Sequence, residues 1–166
     1  MNITSLSSQR AFHPLDVVEE IALYHDWACE RVSFDELVIV LSGEWANYKL
    51  SFSWMEEKEM LELGCSFPFC VAKERIDELC LLLAQVNSKL SLGHFDYWQQ
   101  SKTIVHRQTL LLCGGVNPSS KQMEALLFNA LAACEEYYQA WQMVSWSSAS
   151  ARQALNYTFF KTVGNA

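Results

Sequence analysis

Along this chain the apolar positions recur first with a helical period, then with a period of two, then with a helical period again, and each change marks a new element. Pro14 opens the first run, at a helical position where its missing N–H would have no intrahelical partner anyway. Leu15, Val18, Ile21 and Ala22 follow at helical spacing with Asp16, Glu19 and Glu20 between them, which predicts an amphipathic helix ending between Tyr24 and Asp26. From Cys29 to Phe69 the period is two. Glu36 to Leu41 is rich in β-branched residues and reads as a central strand, and Tyr48, Leu50, Phe52 and Trp54 alternate with Lys49, Ser51 and Ser53 as a half-buried strand should. Met55 to Glu59 is a polar connection. Leu61, Leu63, Cys65 and Phe67 then alternate again, and Pro68 is expected to close that strand because proline cannot donate to a ladder. Connections this short rule out parallel crossovers, so an antiparallel meander is predicted.

Helical spacing returns from Ala72 to Leu90 through Ile76, Leu79, Leu82 or Leu83, and Val86, with Gly93 at the exit. A hairpin follows from His94 to Cys113, its polar turn at Gln99 to Lys102, and Gly114 and Gly115 end it. A third helix begins around Pro118, capped by Asn117 or a following Ser, and carries the apolar stripe Met123, Leu127, Ala130, Cys134, Tyr137 or Tyr138, Trp141 and Val144. Ser147 to Ser150 is small and polar. The predicted organisation is a flexible N-terminus over 1–12, one α+β domain over 13–146 and a tail over 147–166 whose Leu155, Tyr157, Phe159 and Phe160 pack back or dock on a second subunit.

Composition narrows the function. With half its 166 residues apolar and 19% charged, the chain has the means to fold around one core without a partner. Its net charge is −7 and its Lys and Arg are scattered singly, so nothing resembles the basic stripe that neutralises nucleic-acid phosphates or the polybasic cluster that holds an anionic membrane. Met1 to Arg10 lacks the apolar stretch of a signal peptide, and no later segment approaches a membrane span, so a cytoplasmic protein is expected. The six cysteines, Cys29, Cys65, Cys70, Cys80, Cys113 and Cys134, are then read as reduced and mostly buried thiols.

Residues of catalytic type do not converge. Cys65 and Cys70 have no second pair or neighbouring histidine to complete a zinc site, and Gly114 and Gly115 lack the spacing of a phosphate loop. No cofactor is implied. The crowded Glu56, Glu57 and Glu59 read as a solvated turn, and His106 as a hydrogen-bonded, partly buried histidine facing Phe95 across the hairpin. One polar constellation stands out. If the hairpin turns symmetrically about Gln100 and Ser101, His94 lies opposite Arg107, with Asp96 and Trp98 on the same face. His94, Asp96 and Arg107 could stiffen the hairpin as a salt-bridge patch, contact a protein, or orient an anion, but no nucleophile stands beside them. The aromatics near the end of the last helix, Tyr137, Tyr138, Trp141 and Trp146, serve either as core or, where uncovered, as an interface.

The run Asn87-Ser-Lys-Leu-Ser-Leu-Gly93-His94-Phe95, followed by a short hairpin with Arg107 and an apolar strand, resembles the YbjN-domain family of bacterial proteins, over about Pro14 to Val144. The resemblance implies a type III secretion chaperone-like fold, an antiparallel sheet flanked by helices in the order α-β-β-β(-β)-α-β-β-α. It also implies a sensory-transduction regulator without enzymatic activity, with no catalytic residue to carry over. The expectation is a non-enzymatic, protein-binding module, chaperone-like or a regulatory adaptor, forming a homodimer and holding an unidentified protein partner. The alternatives are a regulatory domain that binds a small ligand and, further off, a hydrolase or transferase with a concave pocket.

Overall fold

A computed structural model describes residues 10–163 of the chain, without the side chains of residues 68, 69 and 159–163. Helix α1 (Pro14–Tyr24) is followed by strands β1 (Ala28–Ser33), β2 (Glu36–Ser42), β3 (Asn47–Met55) and β4 (Met60–Cys70), helix α2 (Ile76–Asn87), strands β5 (His94–Trp98) and β6 (Thr103–Leu111), and helices α3 (Ser120–Trp146) and α4 (Ala151–Val163). All six strands pair antiparallel in one sheet of order β1-β2-β3-β4-β6-β5. The predicted α+β class and antiparallel sheet hold, and the meander has four strands, the larger of the two numbers expected.

Local chemistry explains the boundaries. His13 caps α1 by accepting the Leu15 N–H, Pro14 occupies the first turn, and His25 closes the helix. Ser119 opens α3 with a reciprocal capping box, its hydroxyl taking the Gln122 N–H and the Gln122 carboxamide taking the Ser119 N–H. Polar Met55 to Glu59 forms a single 3-10 turn between β3 and β4 that ends on Glu59 in the left-handed region.

The helices cover one face of the sheet only. Leu37, Ile39 and Leu41 of β2, Tyr48, Leu50, Phe52 and Trp54 of β3, Leu61, Leu63, Cys65 and Phe67 of β4, and Phe95 and Ile104 of the hairpin point into a core closed by α1, α2 and α3. At about 1.5–3 kcal/mol for each fully buried large apolar side chain, this layer is the main source of stability. The register across strands puts Val40, Lys49, Ser66 and Val105 in one row on the opposite face, where no helix lies among the described residues.

Two expectations are corrected, and the stretch after Ser147 takes the first of its two expected courses, packing back. Pro68 does not end its strand: β4 continues to Cys70, and the proline falls within the stretch between Ser66 and Cys70 where the register with β6 shifts, so no regular ladder needs its missing N–H. Beyond the short loop at 147–150 lies a fourth helix that the sequence reading had as a tail. Ala151, Ala154, Leu155 and Thr158 are buried where α4 packs on α2 and α3, while Phe159 and Phe160 lie outside the described side chains. The loop is pinned at both ends, by Arg75 to the carbonyls of Val144 and Ala149 and by Glu78 accepting the Ala151 N–H. The thiols are free, but only Cys65 and Cys134 are buried; Cys70, Cys80 and Cys113 are exposed and Cys29 is half-buried, because the first three sit at a strand end, on the outer side of α2 and just past β6.

Candidate functional site

The uncovered sheet face gathers the predicted hairpin residues. His94 pairs in register with Arg107, Asp96 with Val105 and Trp98 with Thr103, so all six share this face. Arg107 Nη1 donates to Asp96 Oδ2 at 3.3 Å, while its Nε donates to Glu62 Oε1 at 2.8 Å and its Nη2 also reaches Glu62. The Glu62 hydrogen bond is the first cause holding the Arg107 guanidinium above its ordinary range, against the partial burial that would lower it. His94 is exposed and stands outside this triad of charges. Glu62 was not among the candidates. It arrives because β4 pairs with β6, setting Gly64 opposite Arg107, and nothing short-range in the sequence specifies that pairing.

Beside the charges lies an aromatic. A Cβ at Gly64 would meet Val105 Cγ1 at 3.4 Å and Trp98 Cη2 at 3.9 Å, so the Trp98 indole spans Val105 and reaches the glycine two strands away. Val105 is thereby 1% exposed on a face without helices, and Trp98 stays 42% exposed. Val40 and Leu111 are exposed on the same face.

The motif that bears the family resemblance holds this hairpin in place. Asn87, the last residue of α2, accepts the Phe95 N–H at 2.7 Å and donates to the Phe95 carbonyl at 3.0 Å, occupying the outward hydrogen-bonding groups of an edge strand. Gly93 has φ +72°, and a Cβ there would lie 2.5 Å from the His106 ring and 2.6 Å from Gln108. Phe95 packs edge-on against His106, with ring centroids 4.9 Å apart, and lies tilted on Trp141, also at 4.9 Å. His106 faces Phe95 as expected, but it is fully buried, and the backbone carbonyl of Leu92 is the polar group set against its ring, without a hydrogen bond of good geometry. Burial first, and the nearby charge of His94 second, push its pKa down to about 4, opposed without reversal by the Leu92 carbonyl.

The aromatics of α3 divide. Tyr137 and Trp141 are core residues, 3% and 0% exposed. Tyr138 is half-buried, stacked on Trp45 and tilted on Phe67, and Trp146 is 60% exposed at the helix end. The cause is the helical period, since Trp146 lies nine residues from Tyr137 and so roughly half a turn round the helix. Glu59 is likewise more than a solvated turn. It accepts the N–H groups of Gly114 and Gly115 at 2.8 and 2.9 Å and pairs with Arg10, contacts that hold its carboxyl below the ordinary range, the Gly114 bond first. Among the described residues no group of three or more His, Cys, Asp or Glu is placed to hold a metal ion. No helix among them is long and apolar enough to cross a membrane.

Comparison with known proteins bears on the fold. One solved structure, the ExsC–ExsE complex, contains a chain that superposes with a TM-score of 0.54 at 12% identity, over 80% of this chain and 94% of that one. Another, YbjN from E. coli, described as a "putative transcription regulator", superposes with a TM-score of 0.54 at 9% identity, over 75% of this chain and 88% of that one. At such identities the likeness shows the fold, which is the type III secretion chaperone-like architecture. No curated protein matches the chain. The family model described as "Putative bacterial sensory transduction regulator" matches residues 14–143, from the first residue of α1 almost to the end of α3, and the chain therefore belongs to the YbjN family.

Proposed function

We propose that the protein is a non-enzymatic, protein-binding module of the bacterial cytoplasm, chaperone-like or a regulatory adaptor, that pairs as a homodimer and holds a protein partner. The observation that carries this reading is the six-stranded sheet left open on one face, with Trp98, Val40 and Leu111 exposed beside the Arg107, Glu62 and Asp96 charges. A face with an aromatic centre and a charged rim has the anatomy of a protein interface. The charges are already paired with one another and no nucleophile lies among them, which favours recognition over reaction. Family membership points toward regulators, and the ExsC–ExsE complex shows the same fold in a two-protein assembly.

Sedimentation equilibrium at micromolar concentration, paired with affinity capture from the native cytoplasm, tests the proposal. Wild-type protein should sediment at twice the 19.0 kDa chain mass and retain a defined partner. The Trp98→Ser and Val40→Glu variants, altered at exposed positions, should lose the dimer, the partner or both while keeping their secondary structure. A monomer that captures the same proteins with and without these substitutions would refute it.

A further inference from the structure

Away from the sheet face, α1 and the first turns of α3 flank an open cleft of about 340 Å³ lined by Glu20, Ile21, Tyr24, Ser120 and Glu124. Its composition is specific. Ile21 is buried and supplies an apolar floor, whereas Tyr24 is 84% exposed. Glu20 and Glu124 stand on the two helices, one on each wall. Glu124 pairs with His25 at 3.3 Å, and Glu20 makes no ion pair among the described residues. The surroundings are apolar and aromatic: Leu23 and Phe128 are exposed, His25 stacks on Trp27 at 4.4 Å, and Phe128 meets both rings edge-on. An exposed tyrosine and leucine at the end of a helix that otherwise buries its apolar positions are not needed by the core.

We propose that this α1–α3 cleft receives a lysine or arginine side chain from an apolar, basic segment of the protein partner. The proposal deepens the protein-binding reading and rests on it. A long cationic side chain suits these walls: its methylene stem can lie along Ile21 and its head can reach the carboxylates of Glu20 and Glu124, while the Tyr24 ring, which meets His25 at right angles at 5.1 Å but stays 84% exposed, adds an aromatic side. The neighbouring Leu23 and Phe128 then take flanking apolar residues of the same segment. Charge complementarity fixes the sign of the occupant. The walls are acidic and the chain carries −7, so an acidic segment would be repelled at long range and a basic one drawn in.

The test uses the full chain with two end-capped peptides, one built from Ala, Leu and Lys and the other with Glu at every Lys position. Binding is read from the Ile21 methyl resonance and the backbone amides of Tyr24 and Glu124. The lysine peptide should shift these signals saturably, and raising the salt should weaken it, while the glutamate peptide leaves them unmoved. Glu20→Gln and Tyr24→Ala, both at surface positions, should each weaken binding about 2- to 5-fold, as expected for single exposed charge or cation–π contacts. Equal shifts with both peptides, or variants that bind like wild type, would overturn the proposal. Shifts confined to Val40, Trp98 and their neighbours would also overturn it, yet leave the protein-binding reading standing; a chain that captures no partner and responds to neither peptide would sink both.

Discussion

Lowering the pH from 7 to 5 should cost this protein about 2 kcal/mol of stability through one residue, His106. Its imidazole is fully buried against Phe95 and the Gly93 backbone, and its folded pKa is pushed down to about 4 from 6.5 by that burial first, against the Leu92 carbonyl. The folded state therefore holds the ring neutral, while the unfolded chain takes up a proton once the pH falls below about 6.5. A base with a depressed folded pKa contributes stability that is complete above the unfolded value and lost as pH falls toward the folded one. Linkage over the gap between 6.5 and about 4 amounts to about 3 kcal/mol in all, of which about 2 is gone by pH 5. Urea denaturation followed by tryptophan fluorescence at several pH values measures the slope. Carboxylates also titrate in this range, so the informative quantity is the difference between wild type and His106→Leu, which carries a side chain that neither titrates nor needs a hydrogen bond. The variant should show the shallower slope between pH 6.5 and 4.5. In wild-type protein the ring carbon resonances of His106 should keep their neutral-form positions down to pH 5. Equal slopes, or a ring that charges near pH 6.5 in the folded protein, would refute the reasoning.

Gly93→Ala should destabilise by about 2–5 kcal/mol in the same denaturation assay, combining a left-handed backbone with a Cβ forced to 2.5 Å from a buried ring; a change under 1 kcal/mol would show that the hairpin entry is free to move. In an Ellman assay, Cys70, Cys80 and Cys113 should react at once, Cys29 more slowly because burial and Glu19 raise its thiol pKa, and Cys65 and Cys134 only after unfolding; six thiols in total are expected, and two or fewer rapid thiols would contradict the exposures.

Elements whose signal is local were legible in the order of residues alone. Hydrophobic period separated helix from strand because a core-facing stripe must recur at the repeat of its own backbone, and on that basis α1, the meander, α2, the hairpin and α3 were legible. Connection length dictated antiparallel pairing, and the symmetric hairpin turn set His94 opposite Arg107. The run from Asn87 to Phe95 carried the family, and its physical reason is now visible in the Asn87 clamp on the Phe95 backbone and the contact of Gly93 with His106.

Tertiary structure alone decided what depends on distant partners. That β4 pairs with β6 rather than β5 brings Glu62 to Arg107 and the Trp98 indole over Val105 to Gly64, and no residue near any of these in sequence specifies it. Which aromatics of α3 are core and which surface was likewise open, because every one of them lies on a helix whose other neighbours are set by packing; Trp141 went inward and Trp146 outward. Helix α4 escaped the pattern because its buried side chains are chiefly small, Ala151, Ala154 and Thr158 with Leu155, and small residues against α2 and α3 leave little hydrophobic periodicity to read. The same holds for the buried state of His106, since desolvation is a property of what surrounds a group, and those surroundings come from strands and helices far along the chain.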